Sequence, residues 1–187
     1  MNQRVRRLMS EITIHDKVFR LYLRKEQIEA RIVELARELN AKFDGEAPVI
    51  LPVLKGGHRF WSSLAPQLRF AYELDFIKMS SYGKSLIRER LPKFDLVHII
   101  PTTGRHVLIV EDIVDRGVTA QTITEVVRRE KPASVFFASL FFKPDAFVGA
   151  QKPDWIGFAI ENKFVVGFGL DYNERGRHLS DLYQIAE

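Results

Sequence analysis

Cysteine is absent from the 187 residues of this chain. That excludes disulfides, thiolate metal sites and cysteine nucleophiles, and it fits a reducing compartment. No run of eighteen apolar residues occurs, so no transmembrane helix is expected. The opening "MNQRVRRLMSEITIHDK" lacks the apolar stretch of a secretory signal. A G-x-x-x-x-G-K-[ST] loop is also missing, which argues against a nucleoside triphosphatase. Excess charge is scarcer than the totals suggest. The net charge is +4, but Arg4, Arg6 and Arg7 all precede the first acid, Glu11. The remainder holds 25 basic and 24 acidic residues, so bulk charge offers no argument for a nucleic-acid partner.

What is present suits one globular domain with a real core, at 46% apolar and 28% charged residues. Residues 1–10 are expected to be a disordered tail. Residues 12–24 alternate weakly and predict an extended segment. Ile28, Ile32, Leu35, Ala36, Leu39 and Phe43 keep a three-and-four spacing, which predicts a helix from Lys25 to Phe43. "PVILPVL" (48–54) predicts a buried strand, "HRFWSSLAPQLRF" (58–70) a second helix and "YELDFIKMSSYG" (72–83) another strand. Residues 84–104 carry several charges and a weak period of two, which predicts a long mobile connection with a hairpin inside it. "RHVLIVED" reads as a strand, and "TAQTITEVVRREK" as a helix with Ile123, Val126 and Val127 turned inward. Residues 134–142, 155–160 and 164–170 read as three further strands. Strand and helix alternate through the middle, so the fold class is α/β, a parallel sheet with helices on both faces. The last third has short connections and no long helix, which predicts a smaller lobe joined by the N-terminal segment.

Ligands of open parallel sheets bind at the carboxyl ends of the strands, and three unusual stretches stand at such ends. The first is Lys55-Gly56-Gly57. Taken alone the pair of glycines fits a plain tight turn; with Lys55 it also fits an anion-binding nest. The second is "VLIVEDIVDRGVTA" (107–120), where Glu111 and Asp112 end a buried strand and Asp115 precedes a helix. Burying adjacent carboxylates is costly unless something answers them. Backbone amides of residues 115–119 can surround a phosphate, with the Thr119 hydroxyl as another donor and Gly117 allowing close approach. Vicinal sugar hydroxyls and Mg²⁺ would satisfy the two acids. The third is "ENKFVVGFGLDYNERGR" (161–177), with Phe164 at its start and Asp171 after it. On its own this stretch, like Lys143 after "SLFF", fits ordinary packing and a solvated charge.

Together these stretches resemble the hypoxanthine-guanine phosphoribosyltransferase family, within the type I phosphoribosyltransferases. The pieces fall in the family's order: "LKGG" at 54–57, "SSYG" at 80–83, "VLIVEDIVDRGVTA" at 107–120, "LFFK" at 140–143 and "NKFVVGFGLDYNE" at 162–174. The resemblance runs from about Ile14 to the C-terminus. It implies a Rossmann-like core over about 25–150 and a hood lobe from about 11–24 plus 151–187, within a single domain spanning 11–187. It implies transfer of ribose 5-phosphate from phosphoribosyl pyrophosphate to N9 of hypoxanthine or guanine in purine salvage, in the cytoplasm, by a homodimer or homotetramer.

The roles that the resemblance implies are residue by residue. Glu111 and Asp112 would engage the ribose hydroxyls and Mg²⁺, and Asp171 a second Mg²⁺. Asp115, Arg116, Gly117, Val118 and Thr119 would hold the 5-phosphate. Lys55, Gly56 and Arg177 would meet the pyrophosphate, across a cis Leu54–Lys55 peptide. Phe164 would stack on the purine, with Val165, Lys143, Lys163 and Asp171 around it, and Asp115 would act as general base. Ser81 and Tyr82 would stand at the base of a closing loop. Three departures stand out, one of them Val118, at a position that is often held by a longer residue. Arg116 replaces a residue that is commonly a small Ser or Thr, and the connection after Tyr82 lacks the usual Ser/Thr-rich stretch. A regulator that keeps the phosphoribosyl pyrophosphate site without the reaction, and a xanthine- or guanine-preferring enzyme, are the alternatives.

Overall fold

A computed structural model describes residues 11–82, 93–97 and 100–186. The expected tail at 1–10 and much of the expected connection, 83–92 and 98–99, lie outside the described residues. Two sheets organise the chain. The larger is built on β3 (Val49–Leu54), β5 (Ile77–Tyr82), β6 (Lys93–Val97), β7 (His106–Val114), β8 (Ser134–Phe142) and β9 (Trp155–Ala159), in the order β6-β5-β3-β7-β8-β9. All neighbours are parallel except β6, which runs antiparallel to β5 on the edge. The short β4 (Glu73–Leu74) also pairs with β3.

The parallel strands are buried on both faces, which is why β3 and β7 read as continuous apolar runs. Alternate residues serve two cores. Ile50, Leu108, Val110, Ala138 and Leu140 pack with α1 (Lys25–Lys42) and α2 (Gly57–Leu64). Val49, Leu51, Val53, Val107 and Ile109 pack with Ile123 and Val127 of α3 (Val118–Arg128). Helix α1 buries Ile28, Ile32, Leu35, Ala36 and Leu39, the spacing that the sequence displays. Pro52 sits inside β3, where a missing N–H would ordinarily break the ladder. It is tolerated because pairing on that edge passes from β4, at Val49 and Ile50, to β5, at Val53 and Leu54.

The second sheet is antiparallel, in the order β1-β2-β11-β10, from β1 (Glu11–Ile14), β2 (Lys17–Leu23), β10 (Val165–Gly167) and β11 (Leu182–Ile185). It unites the two ends of the described chain, as the small lobe predicts. Ile14, Phe19 and Val166 form its own buried cluster.

Several expected elements are cut differently. The second helix stops at Leu64, and Pro66 converts its end to a 3-10 turn over Ala65–Gln67. The strand expected over 72–83 is divided into β4 and β5. Residues 155–159, expected in the small lobe, pair with β8 and extend the large sheet instead. The strand expected over 164–170 ends at Gly167, because Gly167, Phe168 and Gly169 all take positive φ. Val126, expected inside, is only half-buried. Among the described residues no helix is long and apolar enough to cross a membrane.

Candidate active site

Strand order reverses beside β3: β5 follows it on one side and β7 lies on the other. A crevice therefore opens at the carboxyl ends of β3 and β7, and both ends carry the polar stretches noted above. Glu111 and Asp112, expected to end the strand, lie inside β7, which runs two residues further to Val114 because Ile113 and Val114 pair with Phe141 and Phe142 of β8; 7% of each acid is exposed. Asp112 accepts a hydrogen bond from the Ile113 amide at 2.8 Å. Among the described residues neither acid forms an ion pair. Burial pushes the Glu111 carboxyl well above the usual range, and the neighbouring Asp112 adds to the effect. Asp112 is also raised by burial, with the charge of Arg177 pulling it part of the way back.

Across the crevice, Gly56 and Gly57 lead from β3 into α2. Gly56 has ordinary helical angles, so it is not there for its backbone freedom. It is there for closeness: a Cβ on Gly56 would stand 1.6 Å from Asp112 Oδ2, and one on Gly57 would stand 2.9 Å from the Val110 carbonyl oxygen. The glycine pair thus seats the Asp112 carboxylate against the β3 turn. The Leu54–Lys55 peptide in this turn is cis.

Beyond Asp112 the chain turns through Asp115 and Arg116 into α3. Gly117 caps that helix at φ 82, and no side chain caps it. The first intrahelical bond runs from the Gln121 amide to the Gly117 carbonyl, which leaves the amides of Val118, Thr119 and Ala120 as open donors. They border a cavity of about 520 Å³ lined by Glu111 and residues 113–120. Val118 is 54% exposed, and Thr119 and Arg116 are exposed. Lys143, at the end of β8, is nearly buried, and its Nζ donates to Asp115 Oδ2 at 2.7 Å.

The third wall comes from the small lobe. Arg177 donates from Nη1 to the Gly169 carbonyl at 2.9 Å and pairs through Nη2 with Asp171. The other Asp171 oxygen accepts from the Glu174 amide at 2.8 Å. Glu174 also receives Lys55 Nζ at 2.9 Å, and that partner holds its carboxyl below the usual range. A Cβ on Gly169 would stand 2.7 Å from the Gly56 carbonyl oxygen, so this loop rests directly on the β3 turn. Phe164 is 44% exposed and meets Tyr172 edge-on at 5.7 Å. Val165 lies buried in β10. Lys163 stands 3.8 Å from Glu161. Ser81 and Tyr82 end β5, opposite Phe94 and Lys93.

Comparison with known proteins decides the family. The phosphoribosyl transferase domain family matches residues 21–173. The hypoxanthine-guanine phosphoribosyltransferase of Bacillus subtilis (strain 168) is 34% identical over 165 residues, covering 88% of this chain and 91% of its own. The chain belongs to the hypoxanthine-guanine phosphoribosyltransferase family. A crystal structure of such an enzyme from Bacillus anthracis superposes with a TM-score of 0.80 at 30% identity, over 89% of this chain and 96% of that one. The bifunctional protein TilS/HprT of Listeria innocua is 35% identical over 167 residues, or 89% of this chain. The chain spans only 26% of that relative's length.

In this member of the family, Lys55, Gly56, Glu111, Asp112, Asp171 and Arg177 come together through the contacts above, and Asp115 meets Lys143. Glu174 and Arg59 were not singled out from sequence. Glu174 lies in the "DYNE" stretch, but its pairing with Lys55 spans 119 positions. Arg59 carries no motif; its guanidinium lies 5.1 Å over the Phe168 ring, and its Nε is buried without a partner among the described residues. The same holds for Arg177 Nε. Among the described residues no group of three or more His, Asp or Glu side chains is arranged to hold a metal by itself.

Proposed function

We propose that this phosphoribosyltransferase moves the 5-phosphoribosyl group of phosphoribosyl pyrophosphate onto N9 of hypoxanthine or guanine, giving IMP or GMP and pyrophosphate. The observation that carries the reading is a buried acid pair that forms no ion pair among the described residues, beside a helix N-terminus without a side-chain cap. A sugar phosphate supplies what each half lacks: hydroxyl donors for the carboxylates and an anion for the amides.

The chemistry follows from these placements. Glu111 and Asp112 accept hydrogen bonds from the ribose hydroxyls, and amides of residues 115–119 hold the 5-phosphate. As the C1–oxygen bond breaks, its electron pair leaves with pyrophosphate, and Lys55 and Arg177 balance the developing charge. N9 of the base bonds to C1 on the opposite side. Asp115 takes the proton that the purine releases near N7, and Lys143 donates to the 6-oxo oxygen. Phe164 offers its exposed ring to the purine, with Val165 and Lys163 at the edge. Ser81 and Tyr82 sit where a connection closing over the site would start.

Mg²⁺ fits this reading. The ion favours one or two hard carboxylates completed by substrate oxygens and water, and Glu111 and Asp112 are such a pair. Asp171 has each oxygen engaged once, which leaves a lone pair on each for a second ion. When bound, Mg²⁺ offsets the charge of the leaving pyrophosphate. The reading also carries a cytoplasmic homodimer or homotetramer, which gel filtration checks for size.

The test is a spectrophotometric assay with phosphoribosyl pyrophosphate and Mg²⁺, offering hypoxanthine, guanine, xanthine and adenine in parallel. Conversion of hypoxanthine or guanine, abolished by a chelator, is the expected result. Tight binding of phosphoribosyl pyrophosphate with no turnover of any base would overturn it in favour of a regulator.

A further inference from the structure

The turn between β1 and β2 lies against the loop that follows Asp171, although the two are 156 residues apart in sequence. The Tyr172 phenol donates to Asp16 Oδ1 at 2.8 Å. The other Asp16 oxygen lies 3.7 Å from Lys17 Nζ. Beside them, His15 Nε2 stands 3.2 Å from the Asn173 carbonyl oxygen, and the His15 ring meets Tyr172 edge-on at 5.7 Å. Tyr172 is therefore gripped at its outer end by the β1–β2 turn. Its backbone is gripped as well: the amide donates to the Arg175 carbonyl at 2.8 Å, and the Arg175 amide returns the bond at 3.1 Å.

Tyr172 also meets Phe164. At 44% exposure that ring is not fixed by burial. Its aromatic neighbours are Tyr172, edge-on at 5.7 Å, and the fully buried Phe19 at 6.2 Å. Phe19 in turn packs on Tyr172 at 6.1 Å. Edge-to-face pairs fix the angle between rings as well as their distance. Asp171, one residue before Tyr172, is held separately by Arg177 and by the Glu174 amide. The Tyr172 side chain therefore reaches Phe164, whereas the Asp171 carboxylate keeps partners that the Tyr172 hydroxyl does not touch.

We infer that Tyr172, clamped by Asp16 of the β1–β2 turn, is a positioning residue that holds Phe164 at the angle on which the purine stacks. The inference rests on the reading of the site as that of a 6-oxopurine phosphoribosyltransferase. Steady-state kinetics of the full chain tests it with Tyr172→Phe, Asp16→Ala and the double variant. Tyr172→Phe raises KM for hypoxanthine by about three- to tenfold, the size of one lost hydrogen bond. KM for phosphoribosyl pyrophosphate stays within about twofold, because Asp171 keeps its own partners. Asp16→Ala behaves alike, and the double variant is no worse than Tyr172→Phe, since the same bond is removed in each case. Melting temperatures separate a merely structural role, which would lower stability and leave both KM values alone. Wild-type turnover with an unmoved hypoxanthine KM in both single variants overturns this inference alone, as would equal rises in both KM values. A wild-type chain inert toward every purine overturns the functional reading and this inference with it.

Discussion

Two acid-rich regions face each other across the crevice, and they handle their charge in opposite ways. Near the end of β7, before Ile113 and Val114, Glu111 and Asp112 are buried, without an ion pair among the described residues and pushed toward holding their protons. In the small-lobe loop, Asp171 and Glu174 are more open, and each has a cation: Arg177 for one, Lys55 for the other. The second region is organised by its own ion pairs. The first is not. Burial works against the charge of both carboxyls, a cost that hydroxyl donors or a cation from a ligand would offset.

The largest effect that would sharpen this contrast comes from Glu111→Gln combined with Asp112→Asn. Turnover should fall by about a hundredfold or more, because the groups proposed to meet the ribose are lost. Stability of the free protein should move the other way. A carboxyl whose folded value is raised contributes stability that is full below the ordinary carboxylate range, and that stability is lost as pH rises through the raised value. At neutral pH the amide variant escapes that loss, and its melting temperature should rise by about 2–4 °C. A lower melting temperature at pH 7 would show the pair to be structural and break the contrast.

Next comes Gly56→Ala. The added methyl would stand 1.6 Å from Asp112 Oδ2, so the carboxylate must swing away while the helical backbone at Gly56 accepts alanine. Misplacing one binding group by about 1 Å can cost about a hundredfold, and loss of phosphoribosyl pyrophosphate affinity in a calorimeter, with the circular dichroism spectrum retained, is the expected result. Wild-type affinity would mean that Asp112 is not held there by the glycine. The smallest effect belongs to Glu174→Ala. Its pair with Lys55 is 64% and 69% exposed at the side chains, and exposed pairs add little, so the melting temperature should stay within about 1 °C. A large drop would mean that the small-lobe network is a structural keystone rather than a preset binding wall.

Most of the fold was legible because it rests on local patterns. The spacing of Ile28, Ile32, Leu35 and Leu39 can be read without knowing what they touch, and so can the apolar run of β8. The errors fell where a partner element decided the outcome. Residues 155–159 look alike whether they join a lobe or a sheet edge, and the choice came from pairing with β8. The run from Phe164 to Leu170 is apolar enough for a strand, yet three successive positive φ values bend it so that Gly169 can rest on the β3 turn.

The site divides the same way. The order and identity of "LKGG", "VLIVEDIVDRGVTA" and "NKFVVGFGLDYNE" were enough by themselves to name the family and the residues of interest, because a short motif carries its own loop geometry and chemistry. Who answers whom belonged to the tertiary structure alone. Gly56 beneath Asp112, Lys143 on Asp115, Lys55 on Glu174 and Tyr172 on Asp16 join segments that are distant in the chain. Charge and shape are complementary only at contact distance, and contact between distant segments exists only once the two sheets have been assembled.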